Sequence, residues 1–297
     1  MTPEQILEHP AILLTDAQRR HYFDTGAIGI QSLVGPDWLA RCRAAIDRVV
    51  EASRQETASG DIFDLEADHS ASNPRLRRIN SPCDHDPVFW ELLTEGPVGD
   101  LAADLLGPQV KFFQSKLNLK AAAGGTEVRW HQDAPFFPHT NAAVLTIGVY
   151  LEDCAPEQGP LETLNGSHQG PIYTHYDEQG EWRGEIRRAD ASGLDTNNVQ
   201  VFGGPAGSVT AHNYRTVHGS KPNTGNRPRP LLLYVLSAGD AMPYTAQPLK
   251  TRYQGAMVRG DTARFAHHEP GAMELPPDWS GGYTSIFELQ QRAGKGS

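Results

Sequence analysis

The chain has 297 residues, enough for one large domain with a single core, or at most two. A charged fraction of 21% and a hydrophobic fraction of 38% are those of an ordinary globular protein, and no apolar run is long enough to cross a membrane. A net charge of −10, with no run of Lys or Arg, argues against a nucleic-acid surface. Cys42, Cys83 and Cys154 are isolated and outside any C-x-x-C pair, which suits reduced thiols better than disulfides or a thiolate metal site. The start, Met1-Thr2-Pro3-Glu4-Gln5, has neither the basic nor the apolar stretch of a signal peptide. The expectation is a cytoplasmic enzyme, monomer or homodimer, acting on a small molecule without nucleic-acid or membrane partners.

Residues 1–107 read as a helical preface. Thr15-Asp16-Ala17-Gln18 carries capping residues ahead of an amphipathic stretch to about Asp24. A second helix fits Pro36 to roughly Arg54, with Leu39, Cys42, Ala45, Ile46 and Val49 on one face. A third fits Pro87 to Leu106. Between the last two, Glu56 to Asn80 is polar and predicts a surface loop that could serve as a flap.

From about residue 108 the pattern changes to short strands between Gly, Pro and Asn turns. They are Val110–Lys120, Val144–Leu151, Leu161–Leu164, Gly207–His212 and Leu231–Leu236. Pro and Gly number 22 and 29, in keeping with many turns. Strands after a helical preface predict a mainly β fold with flanking helices, a jelly-roll barrel over residues 108–237. Gln169 to Asn198 is polar and is expected to cover one barrel end. Residues 238–297 give no assignable pattern and stand as an irregular extension. The whole chain, 1–297, reads as one domain.

The sharpest local feature is His131-Gln132-Asp133. In extended chain, residues i and i+2 share a face, so an imidazole and a carboxylate can converge on one point. That supplies two members of a two-histidine, one-carboxylate metal triad. A surface loop would produce the same triplet, and the triplet alone does not decide. His218, in Thr216-Val217-His218-Gly219-Ser220, offers a third ligand. A turn with Pro222, Asn223, Gly225 and Pro228 follows, and Arg229 then opens the next strand, so a hairpin-like return should set Arg229 beside His218. A guanidinium on a barrel strand needs an anion, and a carboxylate accepts two parallel hydrogen bonds from it. If Arg229 points inward, Leu231 and Leu233 do too. On Val110–Lys120, Gln114, Lys116, Asn118 and Lys120 share one face. Periodicity alone does not say whether that face meets water or the barrel mouth. His212 reads as a packed or solvent-facing imidazole, His168 as a structural member of a Gly-Ser-His turn, and His267-His268 as surface.

Taken together, His131-x-Asp133, His218 and Arg229 resemble the phytanoyl-CoA dioxygenase family of 2-oxoglutarate oxygenases. Gly159-Pro160-Leu161-Glu162, Asn165-Gly166-Ser167-His168 and His218-Gly219-Ser220-x-Pro222-Asn223 with Arg227-Pro228-Arg229 are similar to its further motifs. Gln114-Ser115-Lys116-Leu117-Asn118 is similar to a strand of its ectoine hydroxylase branch. The likeness spans roughly Thr15 to Leu236. It implies a double-stranded β-helix in which His131, Asp133 and His218 bind Fe(II). Arg229 and Ser220 would hold the far carboxylate of 2-oxoglutarate, and Gln114 and Asn118 would contact that co-substrate. With O2, the products would be succinate, CO2 and a hydroxylated small molecule such as an amino acid, an osmolyte or a natural-product intermediate. Phe137 stands where the ectoine branch has Trp, which puts ectoine in doubt as substrate. Asp133 fills the position that related halogenases leave small, which favours hydroxylation. Arg129, Phe137 and Arg215 are expected in the substrate pocket. The rival expectation is a cupin-like iron dioxygenase that does not use 2-oxoglutarate.

Overall fold

Alternating side chains in the middle of the chain build two antiparallel sheets, seen in a computed structural model that describes residues 1–122, 124–283 and 285–294. The strands are β1 (Ala27–Ile30), β2 (Phe63–Leu65), β3 (Leu76–Asn80), β4 (Val110–Lys120), β5 (Val128–His131) and β6 (Val144–Tyr150). They continue as β7 (Leu161–Leu164), β8 (Val199–Phe202), β9 (Val209–Asn213), β10 (His218–Ser220), β11 (Arg229–Ala238) and β12 (Met257–Arg259). The larger sheet runs β1-β9-β6-β11-β4-β3-β2, with β12 also paired to β4. The smaller runs β5-β10-β7-β8. One cavity is lined from both sheets, which is the expected jelly roll.

The helices are α1 (Pro3–Leu7), α2 (Asp16–Thr25), α3 (Pro36–Ala52), α4 (Pro82–His85), α5 (Pro87–Thr94), α6 (Val98–Leu106), α7 (Arg188–Ala191) and α8 (Ile286–Gly294). Thr15 caps α2 through a reciprocal bond pair with Gln18, and Gly26 ends it at φ 85°, a left-handed turn that suits glycine. The apolar faces of α3, α5 and α6 join the main core, where Leu39, Cys42, Leu92, Leu93, Leu101 and Leu105 are buried against the outer face of the larger sheet. No helix among the described residues is long and apolar enough to cross a membrane.

Three expectations change. The helix expected from Pro87 to Leu106 is two, because Pro97 lacks the N–H that would continue it and its ring crowds the preceding turn. A side chain at Gly96, within that break, would meet the Leu92 carbonyl at 2.5 Å. The stretch 56–80 is not a surface loop. It carries β2 and β3, with Phe63, Leu65, Leu76 and Ile79 buried. Its polar composition misleads because Asp64 and Arg77 neutralise each other at 2.5 Å inside the fold. Residues 169–198 pack on the end of β5 and the turn after it: Ile186 N–H donates to the Trp130 carbonyl (2.9 Å), and His175 accepts from Gln132 N–H (3.1 Å). The region from 238 contains β12 and α8, and its Trp279 donates to the Phe136 carbonyl at 2.8 Å.

Candidate active site

β5 and β10 are neighbours in the smaller sheet, in a register that sets His218 against His131. Asp133 lies two residues past the end of β5, where the chain turns and Phe136 N–H donates back to the Asp133 carbonyl at 3.0 Å. Ligand atoms of His131, Asp133 and His218 all fall within 4.8 Å of one another, and all three residues are buried. Each imidazole is oriented by its own strand. His131 Nδ1 bonds the Arg129 carbonyl (2.9 Å), and His218 Nδ1 bonds the Thr216 carbonyl (2.9 Å). A carbonyl only accepts, so Nδ1 carries the proton and Nε2 is left with a free lone pair, the form a metal requires. Thr146 on β6 donates to Asp133 Oδ2 at 2.6 Å, which fixes that carboxylate from the opposite sheet.

The electrostatics agree with a cation site. Burial drives the His131 imidazole down to about 4, and it drives His218 well below its usual value. Burial alone would raise Asp133, but the Lys116 ammonium and the His212 and His218 rings outweigh it and hold the carboxyl well below its usual range. At neutral pH the three groups thus present two neutral imidazoles and one carboxylate. Two nitrogens and one oxygen on one face of a metal, with the rest of its shell open, suit iron(II) that must also bind ligands.

His212, on β9 opposite Thr146, joins this cluster. Its Nε2 is 3.7 Å from Asp133 Oδ2, and its ring centroid is 4.2 Å from that of His218. It is packed, as expected, but faces the cavity and not solvent, and neither ring nitrogen has a hydrogen-bond partner. The even spacing Thr210–His212 on a strand with buried Val209 and Ala211 is the signal that could have placed it inward.

The free interior of the cavity is about 70 Å³. Its other wall comes from β4 and β11, where Arg229 pairs with Lys120, Leu231 with Asn118 and Leu233 with Lys116. This decides the open question about β4: Gln114, Lys116 and Asn118 line the cavity, as do Arg229, Leu231 and Leu233. Arg229 faces His218 across the cavity and is not beside it in a hairpin. The turn after β10 crosses from the smaller sheet to the larger, held by Asn223, whose amide donates to the carbonyls of Lys120 (3.2 Å) and Arg227 (2.8 Å). Arg229 is buried, and its Nε has no partner. Lys120 donates to Ser220 Oγ at 2.7 Å and to the Lys221 carbonyl. Burial, and next the Arg229 guanidinium, push the Lys120 ammonium down to about 6. This end of the cavity therefore has unused capacity for an anion.

Phe137 lines the cavity; Arg129 and Arg215 do not. Arg129 turns outward from β5 and pairs with Glu185 at 2.9 Å, while Arg215 pairs with Glu269 at 2.6 Å. Each has found a carboxylate away from the cavity, which removes it from the substrate wall. Residues that the sequence reading passed over take that place: Arg78 from β3, and Tyr283 and Ile286 from the C-terminal region.

A jelly roll in which two imidazoles and a carboxylate meet inside the barrel is the architecture of the non-haem iron oxygenases. The chain belongs to the phytanoyl-CoA dioxygenase (PhyH) family, whose profile matches residues 22–231. It is similar to a "probable alpha-ketoglutarate-dependent hypophosphite dioxygenase" of Stutzerimonas stutzeri, at 31% identity over 261 residues, 87% of this chain and 90% of the relative. It is also similar to the L-proline trans-4-hydroxylase of Streptomyces griseoviridis, at 29% identity over 238 residues, 74% of this chain and 85% of that one. Among solved structures, EctD from S. alaskensis with 2-oxoglutarate and 5-hydroxyectoine shares the fold, with a TM-score of 0.63 and 21% identity over 91% of each chain.

Proposed function

We propose that in this α-ketoglutarate-dependent dioxygenase His131, Asp133 and His218 hold Fe(II), and that Arg229 with Ser220 holds the far carboxylate of 2-oxoglutarate. The observation that carries the assignment is one buried cavity containing both the three converging ligands and an arginine Nε with no partner. When bound, the iron and 2-oxoglutarate supply the oxidising chemistry with O2, giving succinate, CO2 and a hydroxylated small molecule. The rival without 2-oxoglutarate is not favoured: the relatives are named for that co-substrate, and it would leave Arg229 without an anion.

The chain's own residues prepare the site. The Arg129 and Thr216 carbonyls keep each Nδ1 protonated, so both Nε2 atoms stay available for metal. Thr146 and the nearby cations keep Asp133 ionised. Arg229 offers a planar fork that matches a carboxylate. Asn118 Oδ1 accepts from Arg78, so its Nδ2 is the group that remains to donate toward the co-substrate, with Gln114 further along the same face, beyond Lys116. Leu231, Leu233, Phe136 and Phe137 line the remaining wall with apolar surface that excludes water from the reacting centre.

The test follows 2-oxoglutarate and succinate in air, with and without added iron(II). Wild-type protein forms succinate only with iron, and His131→Ala forms none while keeping its thermal unfolding transition. Iron-independent succinate formation, or full activity in His131→Ala, contradicts the assignment.

A further inference from the structure

The cavity is smaller than what has to enter it. Its free interior of about 70 Å³ is room for about five water molecules, about half the non-hydrogen atoms of 2-oxoglutarate alone. Space for co-substrate and substrate together is made by moving part of the wall. Most of that wall is sheet, where each strand is held by its neighbours, as β11 is by β4 on one side and β6 on the other. Phe136 and Phe137, in the turn after β5, are buried in an aromatic cluster. Pro248 and Tyr283 also line the cavity, and they belong to no strand or helix.

The same two residues line a second pocket, of about 210 Å³, whose other walls include the exposed Asp61, Ile62 and Lys250. Pro248 and Tyr283 are thus the partition between the surface and the metal cavity. Tyr283 stands on a short loop pinned on both sides. Before it, Trp279 Nε1 donates to the Phe136 carbonyl at 2.8 Å; after it, the buried Ser285 hydroxyl donates to Asp64. Gly281 and Gly282 lie between the first anchor and Tyr283. Gly282 has φ 105°, which favours glycine, and a side chain there would meet nothing nearer than Asp61 Oδ1 at 4.0 Å. Conformation and not space selects that glycine, so the chain can pivot there while both anchors hold. A groove on the outer side of β5 also shares Val128, Gly219 and Ser220 with the cavity. There the partition is β5 paired to β10, and a Cβ on Gly219 would meet the Val128 carbonyl at 2.8 Å. Opening it would break the sheet that carries His131 and His218.

We infer that Tyr283, closing against Pro248, is the gate through which ligands pass from the outer pocket to the metal, and that its ring limits the size of molecule admitted. This rests on the metal and co-substrate reading above. The gate lies outside residues 22–231, the part matched by the family profile, so this chain sets its selectivity with a segment of its own.

The test is stopped-flow mixing, without oxygen, of iron(II)-loaded protein with 2-oxoglutarate, read as the visible absorbance that appears when a keto acid chelates iron(II). Tyr283→Ala raises the association rate about fivefold or more, whereas Tyr283→Phe, which keeps the ring, stays within about twofold of wild type. Circular dichroism confirms that each variant is folded. A bulky label tests the route. The native cysteines are buried, so fluorescein maleimide reacts at a cysteine introduced on the surface. Labelled Ile62→Cys, in the outer pocket, binds about tenfold more slowly, and labelled Val201→Cys, in the groove outside β5, binds at the wild-type rate. Size is read from the chelator-dependent rate of iron extraction by 2,2′-bipyridine and by the larger bathophenanthroline disulfonate; Tyr283→Ala speeds the larger one more. The inference is overturned if Tyr283→Ala leaves association unchanged, if the label at Ile62 has no effect, or if the label at Val201 slows binding as much. Equal gains for the two chelators overturn the size limit. If wild type keeps its iron but gives no absorbance with 2-oxoglutarate, the co-substrate reading fails instead. The gate is then read from bipyridine extraction on the same variants and labels, with the same expected order of rates.

Discussion

Arg229 and Arg78 enter one cavity, but their surroundings differ. Arg229 opens β11, a central strand of the larger sheet, and shares its end with Lys120 and Ser220. Its Nε is free. Arg78 sits on β3, one strand from the sheet edge, and its Nε is already committed to Asn118. The first has two donors and a hydroxyl gathered around it, a setting suited to one invariant carboxylate. The second has its Nε committed to Asn118, with Tyr283 also on that part of the wall, and its Nη1 has no partner. The two arginines thus reach one cavity from different strands of the larger sheet, Arg78 level with Asn118 and Arg229 level with Lys120.

The largest expected effect removes the distinction between the two arginines altogether. His218→Ala takes away one imidazole whose orientation is built into β10, and iron retained after desalting falls by more than about 100-fold, with turnover lost. Metal analysis measures this, and an unchanged far-ultraviolet circular dichroism spectrum shows that the barrel survives. A smaller effect separates the metal from both arginines. Thr146→Val deletes the 2.6 Å bond to Asp133 Oδ2, leaving the carboxylate ionised but free to rotate. Iron binding weakens about tenfold, and the half-saturating 2-oxoglutarate concentration moves much less. Equal losses in both quantities would mean that Thr146 supports the co-substrate as well.

The smallest effect lies away from both arginines. His139 bonds the Phe137 carbonyl at 2.7 Å, and burial pushes its imidazole down to about 4. The unfolded chain takes up that proton near the ordinary value of about 6.5, whereas the folded chain resists it until about 4. Below the unfolded value the unfolded state binds more protons, so stability falls as the pH drops from about 6.5 toward 4. The contribution is on the order of 1–3 kcal/mol. Urea unfolding of wild type and His139→Gln at pH 7 and pH 5 measures it: the variant loses less stability over that interval.

The same contrast explains what the amino-acid pattern reveals. Val110–Lys120 has eleven alternating residues and Leu161–Leu164 a clear turn on either side, and both emerge as strands with those bounds. His131 and Asp133 are joined by local geometry, two residues apart at the end of an extended segment, so their convergence is legible in one line of sequence. Arg229 is legible through its place in a motif, although its sheet is not: whether a turn folds into a hairpin or crosses between sheets depends on distant partners, here Lys120. Arg78 is hidden, because β2 and β3 have only three and five residues and carry charges that neutralise each other within the fold. Tyr283 and Ile286 are hidden for another reason. They reach the cavity through tertiary packing of a region with no periodicity of its own. Arg129 and Arg215 show the converse, since proximity in sequence to the metal ligands does not stop an arginine from turning toward Glu185 or Glu269.

The central claim is that the Arg229 end holds the co-substrate, and one titration tests it directly. 2-Oxoglutarate is added calorimetrically, without oxygen, to iron-loaded wild type and Arg229→Gln. A neutral amide cannot replace a buried cation that makes two charge-assisted bonds, and the loss is roughly 2–5 kcal/mol, or about 30- to several-thousand-fold in affinity. The account predicts that loss with iron content unchanged. Equal affinity in the two proteins would contradict it.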